Sequence, residues 1–193
     1  MDNVKRLGVG VVVIAFIALA IFLLVSPWGR DTDDQIIDPD HPSNLLQYKQ
    51  TDVQMRLTIR GRIVSEQEHR QLEITVGRDR TVMHVYQGYQ ERIIESGSHS
   101  NNPDAYEVFL AALMNLDFTD TRDVPEDVEV LGACPRQNQY FFEILDGDEV
   151  IHESWSSQCS AYPGDFGGDL SDTVTLFKRQ IPDYNQLVRD VRL

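Results

Sequence analysis

Basic residues are scarce in this sequence, and their scarcity excludes one class of partner. The 193 residues contain 17 Lys and Arg against 31 Asp and Glu, which gives a formal net charge of -14. All but 4 of the basic and all but 6 of the acidic residues lie from Thr51 onward, so the acidity belongs mainly to the C-terminal part. Nucleic-acid binding depends on neutralising phosphates with Lys and Arg. We therefore expect no nucleic-acid partner.

The sequence also lacks a recognisable catalytic or metal-binding motif. None of its five histidines is paired with another at the spacing of metal ligands, so we expect no metal site. The run His152-Glu153-Ser154 supplies the residue types of a hydrolytic triad, but adjacent residues of a strand point to opposite faces of the sheet. No Gly-x-Ser-x-Gly elbow is present. We assign no catalytic residue and no cofactor.

Only two cysteines occur, Cys134 and Cys159. A pair of this kind forms a disulfide in an oxidising compartment and otherwise stays as two free thiols in a core. The predicted position of both cysteines outside the cytoplasm favours the disulfide.

One long apolar run stands near the N-terminus. Residues 7–25 read LGVGVVVIAFIALAIFLLV, nineteen positions without a charge. At 1.5 Å per residue a helix of that length measures about 28 Å, close to the thickness of the bilayer hydrocarbon core. Trp28 follows where an interfacial anchor belongs. A cleaved signal peptide is the alternative, but its apolar region is shorter and ends in a small-x-small site that Ser26-Pro27-Trp28 does not match. We expect a transmembrane helix over residues 7–28.

Charges flanking the run set its orientation. Lys5 and Arg6 precede it, whereas Arg30 is accompanied by Asp31, Asp33 and Asp34 after it. The positive-inside rule places residues 1–6 in the cytoplasm and the rest of the chain outside. Residues 29–50 carry acidic residues and two prolines with little apolar content, which is typical of a flexible linker. The globular domain is then residues 51–193, in a compartment that permits the disulfide.

The first half of this domain has the pattern of strands. Apolar side chains alternate with polar ones from Val53 to Ile63, again from Leu72 to Val76, and again from Val82 to Tyr86; Arg92 to Glu95 adds a further short segment. A period of two indicates strands with one buried face, and the short connections predict an antiparallel meander.

Helical signals follow the meander and also close the chain. Asn101-Asn102-Pro103-Asp104 resembles a helix start, with Asn as the N-cap and Pro in the first turn, and apolar residues at helical spacing continue to about Leu116. A second helix is predicted from Leu170 to Ile181, stopped by Pro182, and a short third one from Tyr184. We therefore expect an α+β fold: an antiparallel sheet of about six strands with two or three packed helices.

Two further strands flank Asp146-Gly147, a dipeptide that favours a two-residue hairpin turn. If Leu145 opposes Asp148, the register places Cys134 directly across from Cys159. The face that they share would then carry Phe142 and Trp155. This register strengthens the prediction of a Cys134–Cys159 disulfide.

The loop from Ser160 to Asp169 is the candidate for partner contact. It combines Gly164, Gly167 and Gly168 with the aromatic residues Tyr162 and Phe166. Exposed aromatic side chains favour interfaces, and loops on a rigid scaffold commonly carry recognition. We expect Tyr162 and Phe166 to contact a partner; the alternative is that these rings pack around the disulfide.

One resemblance adds to this picture. Cys134-Pro135, Tyr140-Phe-Phe-Glu-Ile, Trp155-Ser-Ser-Gln-Cys159 and Gln180-Ile-Pro-Asp-Tyr184 resemble segments of small single-span exported proteins of candidate-phylum bacteria of the Saccharibacteria type. The resemblance covers roughly the last two-thirds of the chain and includes no catalytic motif. It implies placement at a bacterial cell surface and no particular activity.

Two function classes remain open. The first is a membrane-anchored, non-enzymatic module outside the cytoplasm that binds a protein or an envelope component. The second is an envelope-associated hydrolase whose active site has no sequence motif. A cleft lined by converging titratable side chains would favour the hydrolase.

The apolar run generates the first prediction. If residues 7–28 remain as an anchor, the protein resists carbonate extraction, and protease added outside intact cells digests the domain. Carbonate extraction followed by immunoblotting checks the anchor. Recovery of a soluble form that begins near Ser26 would show that the run is a cleaved signal peptide.

Overall fold

The structure is a computed structural model that describes residues 43–124, 130 and 132–193. The predicted cytoplasmic residues 1–6, the predicted span 7–28 and most of the predicted linker 29–50 lie outside the described residues. Within those residues, no helix is both long enough and apolar enough to cross a bilayer.

The described part of the chain is an α+β fold built on one sheet of six antiparallel strands. In spatial order the strands are β4-β3-β2-β1-β5-β6. The strands are β1 Gln54–Arg60, β2 Arg70–Val76, β3 Arg80–Gln87, β4 Arg92–Ser100, β5 Gln139–Asp146 and β6 Glu149–Ser157. The helices are α1 Pro103–Met114, α2 Leu170–Arg179 and α3 Tyr184–Leu187, with a single 3-10 turn at Leu45–Tyr48. The predicted fold class and the number of strands are confirmed.

Strand β1 occupies the centre of the hydrophobic face. Leu57 is completely buried and pairs with Ile74 of β2 on one side and Phe142 of β5 on the other. The alternation of apolar and polar residues places every second side chain of these strands on this face. The meander of β1 to β4 and the hairpin of β5 and β6 therefore share one core.

Helix α1 begins as its sequence predicts. Asn102 is the N-cap, and its side chain accepts a hydrogen bond of 2.9 Å from the Ala105 amide. The helix ends at Met114, two residues short of the predicted Leu116. Its apolar stripe packs on the sheet, and the buried hydroxyl of Tyr106 donates to the Val53 carbonyl at 2.7 Å.

An aromatic cluster joins the helices to the sheet. Phe118 packs edge-to-face against Phe142 of β5, with ring centroids 5.8 Å apart, and Phe109 of α1 meets Phe177 of α2 at 5.3 Å in the same manner. Edge-to-face pairs of this kind add to the stabilisation that comes from burying the rings. Helix α2 is held in place by these contacts and by its N-cap Asp169, which accepts from the Asp172 amide at 2.9 Å.

The compact part of the chain begins earlier than Thr51. Leu45 is almost completely buried and Tyr48 is also buried, and both belong to the core cluster. The 3-10 turn that presents them starts at Asn44, whose side chain accepts from the Leu46 amide at 3.1 Å. The last residues of the predicted linker therefore pack onto the domain.

The β5–β6 hairpin has a different register from the predicted one. Asp146 opposes Glu149 and Leu145 opposes Val150, so Gly147 and Asp148 form the turn. A bulge at Ile144/Leu145 then shifts the pairing by one residue. Because of that shift, Trp155 opposes Phe141 and lies on the face of the sheet opposite Phe142.

The disulfide between Cys134 and Cys159 is present, with Cα atoms 5.8 Å apart. The two residues lie beyond the ends of β5 and β6, so they are not the cross-strand pair that the predicted register implied. The bridge instead joins the segment that enters β5 to the segment that leaves β6.

Strand β4 is longer than predicted. Sequence periodicity indicates only residues 92–95, whereas the strand runs from Arg92 to Ser100. Most of its side chains are exposed, so it has no apolar alternation to detect. Its hydrogen bonds to β3 define it instead.

The disulfide generates the second prediction. The Cys134→Ser/Cys159→Ser double variant should lose roughly 3 kcal/mol of unfolding free energy, because the bridge closes a loop of 25 residues in the unfolded chain. Urea denaturation measures the loss, and reduction of the wild-type protein should reproduce it. Mass spectrometry of the unreduced protein should find the two cysteine peptides linked. Two free, alkylatable thiols in protein from its native compartment would contradict this.

Candidate functional site

The two faces of the sheet differ in what covers them. The described helices contribute their apolar residues to the core on the Leu57 face. The opposite face, here called the polar face, carries the other side chains of β1, among them Arg56 and Arg60, together with their neighbours on β2 and β5. A ligand-binding site on the sheet would be formed by the polar and aromatic side chains of this face.

In the middle of the polar face the charges are already paired. Arg56 donates from Nε and Nη2 to the two carboxylate oxygens of Glu143 at 2.7 and 2.6 Å, and hydrogen bonding to Glu143 raises the pKa of Arg56. Burial, together with the nearby Glu73 carboxylate, raises the pKa of Tyr86 to about 12. Arg56 and Glu143 therefore neutralise each other and form a structural ion pair.

A cavity of about 290 Å³ lies at the end of β1. We call it the clasp cavity, because the disulfide contributes to its wall. Residues from four separate segments of the chain line it: Arg60, Gly61, Ile63, His69, Gln71, Gly88, Tyr89, Glu91, Ala133, Cys134, Gln137 and Gln139.

Arg60 lies at the centre of one wall. It pairs across the sheet with Gln71 of β2 and Gln139 of β5, and both glutamines are buried. Its guanidinium lies 4.8 Å above the Phe141 ring and donates from Nε to the Gln71 side chain at 3.4 Å. Nη1 is buried and has no hydrogen-bond partner among the described residues. Buried donors are nearly always satisfied in proteins, so this one is unusual.

A stacked pair of rings forms the second wall. His69 is buried and lies 4.1 Å from the Tyr89 ring, with the two planes within 13° of parallel. His69 Nδ1 lies 3.2 Å from the Arg62 carbonyl, which can only accept, so Nδ1 carries the proton. The Tyr89 hydroxyl donates to the Val64 carbonyl at 2.8 Å and accepts from the Val64 amide at 3.1 Å. The Tyr89 ring is thus fixed at both ends while remaining 50% exposed.

Unusual backbone conformations concentrate around the cavity. Of the six residues with positive φ in the described ranges, three line it: Gly88, Glu91 and Cys134. Gly88 has a φ of +76°, a conformation that residues with a side chain rarely adopt, so glycine is favoured there. Glu91 and Cys134 adopt the left-handed region without being glycine, at a cost on the order of 1 kcal/mol or more each. Such strain is common at functional sites and marks this cavity as a candidate.

The third wall is the segment that precedes β5. Gln139 donates to the Ala133 carbonyl at 2.7 Å, and the Ile63 amide donates to the Pro135 carbonyl at 2.8 Å. The disulfide from Cys134 to Cys159 ties this segment to the end of β6. The wall is therefore fixed from three directions.

The described lining residues supply hydrogen-bonding groups and an aromatic surface. They include no serine or threonine, and Cys134 is held in the disulfide. Glu91 accepts from the Gln71 amide at 3.4 Å, which links it to Arg60 through that side chain. In the described ranges, no group of three or more His, Cys, Asp and Glu side chains could hold a metal ion. The cavity offers hydrogen bonds and an aromatic surface.

The two residues predicted to contact a partner, Tyr162 and Phe166, differ in their exposure to solvent. Tyr162 is 46% exposed, whereas Phe166 is completely buried, with its ring centroid 4.2 Å from that of Phe142. Since Phe166 has no accessible surface, its ring belongs to the core and only Tyr162 remains available for contact.

The loop that carries these residues runs along β6. The Trp155 amide donates to the Asp165 side chain at 2.6 Å, and the Phe166 amide donates to the Trp155 carbonyl at 2.9 Å. Gly164 adopts positive φ and lies against the Trp155 backbone, where a side chain would not fit. The loop thereby covers the outer edge of β6.

The catalytic residue types on β6 do not converge. Ser154 is completely buried and opposes Phe142, which places it on the Leu57 face. Glu153 points to the polar face, opposite Glu143. A hydrolytic triad from His152, Glu153 and Ser154 is therefore not formed.

Comparisons with known proteins do not assign the chain to a family. No protein-family model matches it, and no curated protein matches it.

The contrast between Tyr162 and Phe166 generates the third prediction. Phe166→Ala should lower the unfolding free energy by about 3–5 kcal/mol, because it removes a fully buried ring. Tyr162→Ala, its matched control in the same loop, should change it by no more than about 0.5 kcal/mol. Urea denaturation of both variants checks this. Equal, small effects would place Phe166 outside the core.

Proposed function

We propose that this protein is a membrane-anchored, non-enzymatic module that presents the clasp cavity outside the cytoplasm and binds a component of the cell envelope there. Residues 7–28 serve as the anchor in this proposal, with residues 1–6 in the cytoplasm. The apolar run, the basic residues before it and the disulfide in the domain support this placement.

The observation that carries the proposal is the state of Arg60. A guanidinium is costly to bury unless its donors are paired. Here Phe141 and Gln71 hold it beside the cavity, while Nη1 has no acceptor in the part of the chain that the structure describes. A bound ligand would supply that acceptor after a small movement of the guanidinium. Binding would then recover the free energy that the unpaired buried donor costs in the free protein.

The other walls support a preformed site. Small-molecule sites are mostly apolar concavities with a few well-placed polar groups. The clasp cavity has Tyr89, Ile63 and the disulfide as apolar surface and the Arg60–Gln71–Glu91 chain as polar groups. Because each wall is fixed by hydrogen bonds or by the disulfide, little ordering is needed on binding, and this favours affinity.

The hydrolase alternative has weaker support. Hydrolysis needs a nucleophile or an activated water placed by a base. Among the described lining residues, Glu91 is the one carboxylate and it is hydrogen-bonded to Gln71, while the Tyr89 hydroxyl is engaged by Val64.

The fourth prediction tests binding at the cavity. The full chain, kept in detergent micelles, should co-sediment with a detergent-washed envelope fraction from the cells that produce it. Arg60→Gln should weaken this binding about 10-fold or more, as expected for a lost charge-assisted hydrogen bond worth roughly 1.5–3 kcal/mol. Binding curves from the sedimented fraction measure the effect.

Arg78→Gln is the matched control, because Arg78 pairs with Asp52 and Asp79 and does not line the cavity. Ile63→Arg provides a second test at the rim: Ile63 is 55% exposed, so this change blocks the entrance without disturbing the core. Equal binding by the wild type, Arg60→Gln and Ile63→Arg would refute the site. Absence of co-sedimentation by the wild type would refute the envelope component as the ligand.

A further inference from the structure

We propose that the ligand of the clasp cavity is a neutral saccharide unit of an envelope glycan. This inference rests on the function proposed above and specifies its ligand. It follows from four properties of the lining: charge, hydrogen-bonding type, aromatic surface and size.

The charge of the lining favours a neutral ligand. Among the described lining residues, Arg60 and Glu91 carry formal charges at neutral pH, and they are of opposite sign. Gln71 bridges them, since it accepts from Arg60 and donates to Glu91 at 3.4 Å each. Arg60 would repel a cationic ligand at the cavity. Glu91 would repel an anionic one, and the net charge of -14 on the chain would add to that repulsion.

The polar groups favour hydroxyls as partners. Gln71, Gln137 and Gln139 line the cavity, and an amide side chain both donates and accepts. Gln139 already uses its nitrogen on the Ala133 carbonyl, which leaves its oxygen as an acceptor. Arg60 adds donors and Glu91 adds acceptors. Adjacent hydroxyls of a sugar can donate to and accept from such a mixed set, whereas a purely apolar ligand would form no hydrogen bond with it.

The aromatic wall suits the apolar side of a sugar ring. Tyr89 is held flat by its stack on His69 and by the two hydrogen bonds of its hydroxyl to Val64. Tyr89 lines the cavity, and half of its surface is exposed. The C–H groups on one side of a pyranose form an apolar patch that packs on such a ring, while the hydroxyls around the edge reach the polar groups.

The size limits the ligand to a small unit. The volume of about 290 Å³ lies at the lower end of the range of roughly 300–1,000 Å³ for small-molecule sites. A single sugar residue fits this volume, with the rest of the chain outside the rim at Ile63.

The first arm of the test uses soluble sugars as competitors of envelope co-sedimentation by the full chain. Methyl glycosides of glucose, galactose, mannose and N-acetylglucosamine are the neutral probes. At least one should displace the protein, and it should be about 10-fold more effective than its matched charged analogues, the uronic acid and the amino sugar. Equal or better competition by a charged analogue would overturn the inference of neutrality. Failure of all four glycosides would overturn the saccharide.

The second arm separates the ligand class from the function itself. Periodate cleaves vicinal diols, so pretreating the envelope with periodate should abolish co-sedimentation if the bound sugar has free adjacent hydroxyls, while protease pretreatment should not. Loss with protease alone would overturn the saccharide and leave an envelope-binding module whose ligand is a protein. After retention in both cases the competition arm decides: displacement by a glycoside supports a saccharide without free adjacent hydroxyls, such as a 1,4-linked N-acetylglucosamine, and no displacement overturns the saccharide. Loss after both would support it if the glycan released from the envelope still competes, and overturn it if the glycan does not.

Discussion

Strand β1 is bordered by β2 and β5 along almost its whole length, so its side chains can point only to the two faces of the sheet. Met55, Leu57 and Ile59 take the dry face, where the helices pack, and the residues between them are forced onto the polar face. Burial of the apolar set fixes the register, because a slip of one residue would exchange the two faces. The positions of both arginines follow from this constraint.

The same constraint gives the two arginines of the polar face different roles: Arg56 forms a structural ion pair, and Arg60 lines the cavity. Arg56 meets Glu143 directly across β5 and is neutralised there, with its carboxylate partner largely buried. Arg60, four residues further along, meets two glutamines instead of a carboxylate and lies where β1 ends and the cavity begins. The loops that complete the cavity are held by Val64, by Pro135 and by the disulfide, so a ligand would encounter a site assembled in advance.

Local patterns in the sequence were sufficient for much of this architecture. Alternation predicted the meander, Asn102 and Pro103 predicted the start of α1, and two cysteines in a domain expected to be exported predicted their bridge. The hairpin register was missed because the turn is Gly147-Asp148 and not the expected Asp146-Gly147. The bulge at Ile144/Leu145, which leaves no mark in composition, then put Trp155 on the unexpected face. Phe166 was misjudged because a glycine-rich loop normally signals exposure, whereas here Gly164 lets the loop lie against Trp155. The cavity was not predictable, since its described lining comes from four segments and none of them carries a motif.

Native-state hydrogen exchange tests most directly whether the clasp cavity is built on the most stable part of the sheet. The Arg60 and Gln71 amides belong to central strands, and the Gly61 amide donates to the Arg70 carbonyl at 2.9 Å. Their opening free energies should lie within about 1.4 kcal/mol of those at Leu57 and Ile74, a factor of ten in exchange rate. The amides of the exposed edge strand β4 should exchange much faster. If the Arg60, Gly61 and Gln71 amides exchange as fast as those of β4, the cavity opens locally and is not preformed.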